Sequence, residues 1–143
     1  MAAAGKAISG RLASALLVAL AAYAARGHGD VNPQPVDTAG LEPLGEAWRS
    51  ANPYRGNKLA IQIGKSAYNQ QCARCHGLEG ISGGMAPDLR YLPKDDEGDK
   101  IFLGLVRRGA YRDGRALMPK YEGVVSQEGM WAIRSWLDTV YAE

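Results

Sequence analysis

A chain of 143 residues, 46% hydrophobic and 22% charged, has the size and make-up of one globular domain with one modest core. Its formal charge of +2 comes from the first 28 residues; beyond them 14 Lys and Arg face 15 Asp and Glu, so the charge gives no argument for a nucleic-acid partner. Two cysteines and two histidines are all the sequence holds, which confines any site built on those residue types to a few positions.

Lys6 and Arg11 precede an apolar run of 14 residues, Leu12 to Ala25, too short for a comfortable membrane span of about 20. Ala22-Tyr23-Ala24 fits the small-x-small cleavage rule. Residues 1–28 therefore read as a secretory signal peptide cut between Ala24 and His28, with an uncleaved anchor as the competing reading. The expected location is the periplasm. From Gly29 to Asn57 the chain is punctuated by Pro33, Pro35, Pro43 and Pro53, which predicts an irregular N-terminal extension with one helical turn near Leu44 to Arg49. That extension either covers part of the domain or docks a partner. The domain itself is expected over residues 58–143.

From Lys58 to Cys72 the pattern is helical, with Asn57 as N-cap and Leu59, Ile61, Ile63, Ala67 and Tyr68 on a broad apolar face. Gly64 interrupts this helix at a cost of about 1 kcal/mol relative to Ala, which close approach of another helix would explain. Gly77 and Gly80 are expected to end it. A Gly-rich loop, Gly80 to Pro93, leads to a mostly acidic, solvated turn from Lys94 to Asp99. Asp99 is the expected cap of a helix with apolar positions Ile101, Phe102, Leu105 and Val106; Arg107, Arg108 and Gly109 suit its end. A second loop, Ala110 to Val125, contains Met118-Pro119. Ser126 caps a final helix with the stripe Met130, Ile133, Trp136, Leu137 and Val140. No stretch alternates as a strand does, and no internal repeat is present, so the fold class is all-α.

Cys72-Ala73-Arg74-Cys75-His76 is the motif around which the rest is arranged. C-x-x-C-H is the pattern that attaches a c-type haem. One helical turn brings both sulfurs within reach of the two vinyl carbons of a single porphyrin, and the next imidazole then lies under the iron. Three other readings compete. A zinc site wants four Cys or His ligands, and His28 is the only further one. A dithiol oxidoreductase wants its motif after a strand, where none is predicted. A local disulfide would use the same two thiols. Covalent haem attachment takes place outside the bacterial cytoplasm, in agreement with the leader.

A low-spin haem needs a second axial ligand, and the thioether of Met is a common one. Met130 belongs to the stripe of the final helix and reads as core. Met85 follows His76 by nine residues, a short loop to pass around the macrocycle; Met118 follows by 42, between two helices, stiffened by Pro119. Met118 is the favoured ligand. Arg90, Tyr91 and Arg112 are candidates to meet the haem propionates, and Tyr121 either packs on the haem or belongs to the core.

The order of helix, Cys72-Ala73-Arg74-Cys75-His76, Ala86-Pro87-Asp88-Leu89, Met118-Pro119 and a Trp-bearing terminal helix resembles the class I cytochromes c over Lys58 to Glu143. The resemblance implies a fold in which N- and C-terminal helices cross around a covalent haem, Gly64 and Tyr68 meeting Ile133 and Trp136. It also implies that the Pro87 carbonyl accepts the Nδ1–H of His76, and that His76 and Met118 ligate iron. More narrowly, Asn52-Pro53-Tyr54-Arg55-Gly56-Asn57, Ser66 to Gln71 and the loop Gly80 to Pro93 are similar to the c550-type cytochromes that serve pyrroloquinoline-quinone (PQQ) alcohol dehydrogenases. The function this implies is a monomeric periplasmic one-electron carrier, not an enzyme. Its donor would be a PQQ-dependent alcohol dehydrogenase and its acceptor a downstream cytochrome or terminal oxidase. The alternatives are a general class I shuttle for another respiratory chain, and a ligand-binding haem protein with a labile sixth site.

Overall fold

Two helices set the frame, and they cross where one of them lacks a side chain. The computed structural model describes residues 32–143; the signal-peptide reading of residues 1–28 lies outside them. Within this span an irregular arm is followed by helices α1 (Lys58–Gln71), α2 (Ala73–His76), α3 (Asp96–Arg108) and α4 (Gln127–Leu137). A hairpin of β1 (Ala110–Arg112) and β2 (Arg115–Met118) lies between α3 and α4. Among the described residues no helix is long and apolar enough to cross a membrane.

Asn57 caps α1 by accepting the Ala60 amide at 3.0 Å. Its buried face is Ala60, Gly64, Ala67, Tyr68 and Gln71, the i, i+4, i+7, i+8 spacing of one helical side. A Cβ on Gly64 would lie 1.9 Å from the Ala132 carbonyl oxygen and 3.0 Å from the Ile133 amide nitrogen, so α1 and α4 touch backbone to backbone. One turn on, the rings of Tyr68 and Trp136 pack with centroids 4.3 Å apart. The predicted stripe of Leu59, Ile61 and Ile63 is displaced to the flanks, with Leu59 38% exposed. A crossing this close selects small residues at its centre, and the large aliphatic side chains fill the edges.

Helix α4 is enclosed on nearly every side, Gly129 to Leu137 all being buried. Ser126 caps it as predicted, accepting the Gly129 amide at 3.2 Å. Arg134 is wholly buried within it. The Arg134 Nε donates to Asp99 Oδ1 at 2.7 Å, a second guanidinium nitrogen lies 2.7 Å from Asp138, and a third donates to the Pro93 carbonyl. Asp99 is therefore not a cap. Helix α3 starts one turn earlier at Asp95, which accepts the Gly98 amide at 2.9 Å. Asp96 and Glu97 occupy the positive end of the helix, while Asp99, one turn in, is drawn into the core by Arg134. The predicted stop holds: Gly109 closes α3 with φ 73° and donates to Leu105 O at 2.8 Å.

The segment expected to be loop from Ala110 contains the antiparallel β1–β2 hairpin, paired Ala110 to Met118 and Arg112 to Arg115. Asp113 and Gly114 form its two-residue turn, both with positive φ, 50° and 75°. The arm also differs from expectation. No helical turn forms at Leu44 to Arg49, because the backbone donors there are used elsewhere. The Leu44 amide donates to Glu128 Oε1 at 2.8 Å and the Arg49 amide to Gln127 Oε1 at 2.6 Å. Leu41, Leu44 and Tyr54 of the arm are buried in the common core.

Candidate functional site

The break between α1 and α2 builds the site. The Cys72 amide makes the last α1 bond, to Tyr68 O at 2.8 Å, and the amides of Cys75 and His76 both donate to Cys72 O, at 3.1 and 3.0 Å. One tight turn thus carries both thiols and the imidazole. It stops at Gly77, φ 80°, where a Cβ would lie 1.8 Å from the Ile81 carbonyl oxygen. The buried Tyr68 hydroxyl donates to Gly77 O at 2.7 Å, tying this stop to the helix crossing. The helix predicted to run through the motif is therefore two helices.

Cys72 and Cys75 are unpaired and half-buried. Burial first, and the neighbouring Cys75 second, push the Cys72 thiol up to about 12. An attacking thiol in a thiol-exchange centre needs the opposite shift, which Cys72 does not have. Among the described residues no three His, Cys, Asp or Glu side chains come together as a metal site; His28, the further ligand a zinc site would need, lies outside them.

His76 Nδ1 lies 2.8 Å from the Pro87 carbonyl oxygen. A carbonyl only accepts, so Nδ1 carries the proton and Nε2 keeps its lone pair for a metal. Met118 is the last residue of β2, half-buried against the same core that Cys72 and Ala73 pack on. Three residues on, the buried Tyr121 donates its hydroxyl to Gln71 O at 2.8 Å and its amide to Val106 O at 3.1 Å. The chain leaving Met118 is thereby fastened to the residue just before Cys72. Tyr121 is buried in the core beside the Cys72 turn. Met130 is buried in α4, as read, and Met85 is 78% exposed.

Arg90 is engaged by Asp88 in a two-pronged ion pair, Nε to Oδ1 at 3.0 Å and a terminal nitrogen to Oδ2 at 2.9 Å. Hydrogen bonds from the Arg90 side chain hold the Asp88 carboxyl down to about 2. Tyr91 lies under the Arg90 guanidinium, 5.6 Å from it, and Arg112 is exposed on β1. Sequence reasoning missed the Asp88–Arg90 pair, although Asp88 with Arg90 two residues on is a readable turn signal.

The donor set suits a covalently attached haem: two free thiols in one turn, an imidazole nitrogen presented by a fixed tautomer, and a thioether on a tethered segment. A family model described as cytochrome c oxidase, cbb3-type, subunit III, matches residues 59–137. Cytochrome c550 of Pseudomonas aeruginosa is 59% identical over 120 residues, covering 81% of this chain and 83% of that protein. Two quinohemoprotein alcohol dehydrogenases of Pseudomonas putida, ADH-IIG and ADH IIB, are 35% and 32% identical over 78 and 89 residues. Those matches take in 54% and 62% of this chain but only 10% and 12% of the dehydrogenases. No solved structure matches at a significant level.

Proposed function

The chain belongs to the cytochrome c family, with the class I fold and covalent haem c of an electron carrier, and from that premise we propose that it is a periplasmic shuttle between a PQQ-dependent alcohol dehydrogenase and a downstream cytochrome or terminal oxidase. In this reading Cys72 and Cys75 hold the haem through thioether bonds, His76 and Met118 ligate its iron, and Pro87 orients His76. The observation that carries the proposal is the Nδ1 contact of His76 with Pro87 O at 2.8 Å, in the same turn as two unpaired thiols. The donor is supported by the dehydrogenases of Pseudomonas putida, in which a segment like this one occupies a tenth of the chain.

Bound haem supplies a metal that gains and loses one electron. His76 keeps its ring plane through the Pro87 bond. Met118, between the β1–β2 pairing and the Tyr121 tether, would be held in place in both oxidation states, so that little rearrangement would accompany transfer. The buried faces of α1 and α4 exclude water from the domain interior, and the apolar surroundings with the Met ligand favour the reduced form. Docking to donor and acceptor is brief, through a small and wet interface.

The test is direct. Mass analysis of the exported polypeptide should show one added haem, and the oxidised protein should show a sulfur-to-iron charge-transfer band that Met118→Ala abolishes. Purified PQQ-dependent alcohol dehydrogenase should reduce the protein in stopped flow. Absence of the haem mass refutes the attachment. Ready binding of carbon monoxide by the reduced wild type refutes the carrier in favour of a labile sixth site.

A further inference from the structure

The His76 acceptor is carried by a loop with its own internal fastening. Pro87 stands between Ala86, whose carbonyl accepts the Ser82 hydroxyl, and Asp88, whose Oδ2 accepts the Ser82 amide at 3.2 Å. Ser82 Oγ also accepts the Gly84 amide at 2.9 Å. Asp88 Oδ1 accepts the Arg90 amide at 3.0 Å, in addition to the two-pronged pairing with the Arg90 side chain. Arg90 is fixed in turn: its carbonyl accepts the Ala142 amide at 2.9 Å. Its stem packs on Gly80, where a Cβ would come within 3.2 Å of the Arg90 Cγ. Every residue flanking Pro87 is thus tied to Ser82 or to Arg90, in a stretch whose glycines and exposed Met85 supply no packing of their own.

We infer that Ser82, Asp88 and Arg90 form a brace that aims the Pro87 carbonyl at His76 and so sets the donor strength of the imidazole. These are positioning residues. The inference rests on His76 being an iron ligand. A firm Nδ1–H bond makes Nε2 the stronger donor and favours oxidised iron; a slack one lets the proton exchange with water and moves the reduction potential upward. Ser82→Ala is the cleanest variant, because it alters no charge and removes the hydroxyl that fixes Ala86. Asp88→Ala removes the Ser82 and Arg90 contacts together. Asp88→Asn takes away the negative charge and, with one oxygen in place of two, keeps the acceptor for the Arg90 amide while losing the Oδ2 contacts, so it combines the charge effect with part of the loosening.

The experiment measures, on haem-loaded protein, solvent exchange of the His76 Nδ1 proton by NMR and the reduction potential, with amide exchange in α4 as internal control. The expected result is exchange about tenfold faster in Ser82→Ala and Asp88→Ala, the scale of one lost hydrogen bond, with unchanged α4 amides and a higher potential. Asp88→Asn raises the potential with a smaller change in exchange. If both alanine variants lose stability while His76 exchange stays at the wild-type rate, the brace is merely structural and the inference fails. If wild-type protein shows no iron-shifted His76 resonance, the ligand assignment itself fails, a result distinguishable from the first.

Discussion

Gly64→Ala puts two opposite expectations against each other. Judged as an isolated helix position, the change should stabilise α1 by about 1 kcal/mol. The structure says otherwise, because the new Cβ would lie 1.9 Å from the Ala132 oxygen and 2.4 Å from its carbonyl carbon. Carbon and oxygen in close contact sit about 3.3 Å apart, so α1 and α4 must separate by roughly 1.4 Å. Overpacking of this kind costs about 1–3 kcal/mol, and loosening the Tyr68–Trp136 pair adds about 0.5–1.5 kcal/mol. Less the helix gain, the net loss is about 2 kcal/mol. Urea unfolding of the haem-loaded protein should show a lower midpoint with an unchanged slope. Gly104→Ala in α3 is the control, since its Cβ would meet only the mobile tip of Arg108, at 2.8 Å, and helix propensity should then prevail, giving a neutral or slightly stabilised protein. A Gly64→Ala protein as stable as wild type would refute the backbone-contact argument.

Arg134→Met leaves Asp99 without its buried partner, and breaking such a pair costs about 3 kcal/mol or more; adding Asp99→Asn in the same chain should recover part of the loss, measured as a double-mutant cycle of unfolding midpoints. Asp88 titrates at about 2 in the folded protein against 3.8 ordinarily, so the native state binds fewer protons than the unfolded one. Its contribution is complete above pH 3.8 and is lost as pH falls through 2. Acid unfolding of Asp88→Asn should therefore differ from wild type above that window and converge with it below.

The elements that were legible in the sequence carry their own local chemistry. Asn57 and Ser126 announce α1 and α4 because an N-cap needs only a side-chain oxygen and a helix behind it. Gly109 announces the end of α3 because positive φ favours glycine. Cys72, Cys75 and His76 are readable because their spacing alone puts them in one turn. Where several acids compete, the local signal fails. Asp95, Asp96 and Asp99 all suit a helix start, and only the buried Arg134 on α4 decides that Asp99 turns inward. The hairpin was missed for a different reason: β1 and β2 are short and largely exposed, so no apolar alternation marks them, and Asp113-Gly114 is their sole strong signature. Likewise the buried face of α1 depends on a partner helix that the pattern of Leu59, Ile61 and Ile63 does not contain.

The arm shows how far the folded unit extends beyond its motif. The family match begins at residue 59, yet the arm before it supplies groups that the interior needs. Asp99 has no exposed surface, and its carboxylate accepts the Asn52 amide at 2.7 Å and an Arg55 nitrogen at 2.7 Å, as well as Arg134. Asn52 also donates to the buried Ser135 of α4 at 3.0 Å. Gln127, at the start of α4, accepts the Arg49 amide at 2.6 Å and donates to Ala47 O at 3.2 Å. Without the arm, Asp99 would keep a single cation for two oxygens, and the first turn of α4 would lose its cover. Of the two roles open to the extension, these contacts serve packing. A docking role would fall to the side chains it leaves exposed, such as Glu42, Glu46 and Arg49. Charge changes there should alter donor kinetics without moving the unfolding midpoint, whereas changes at Asn52, Tyr54 or Leu44 should do the reverse.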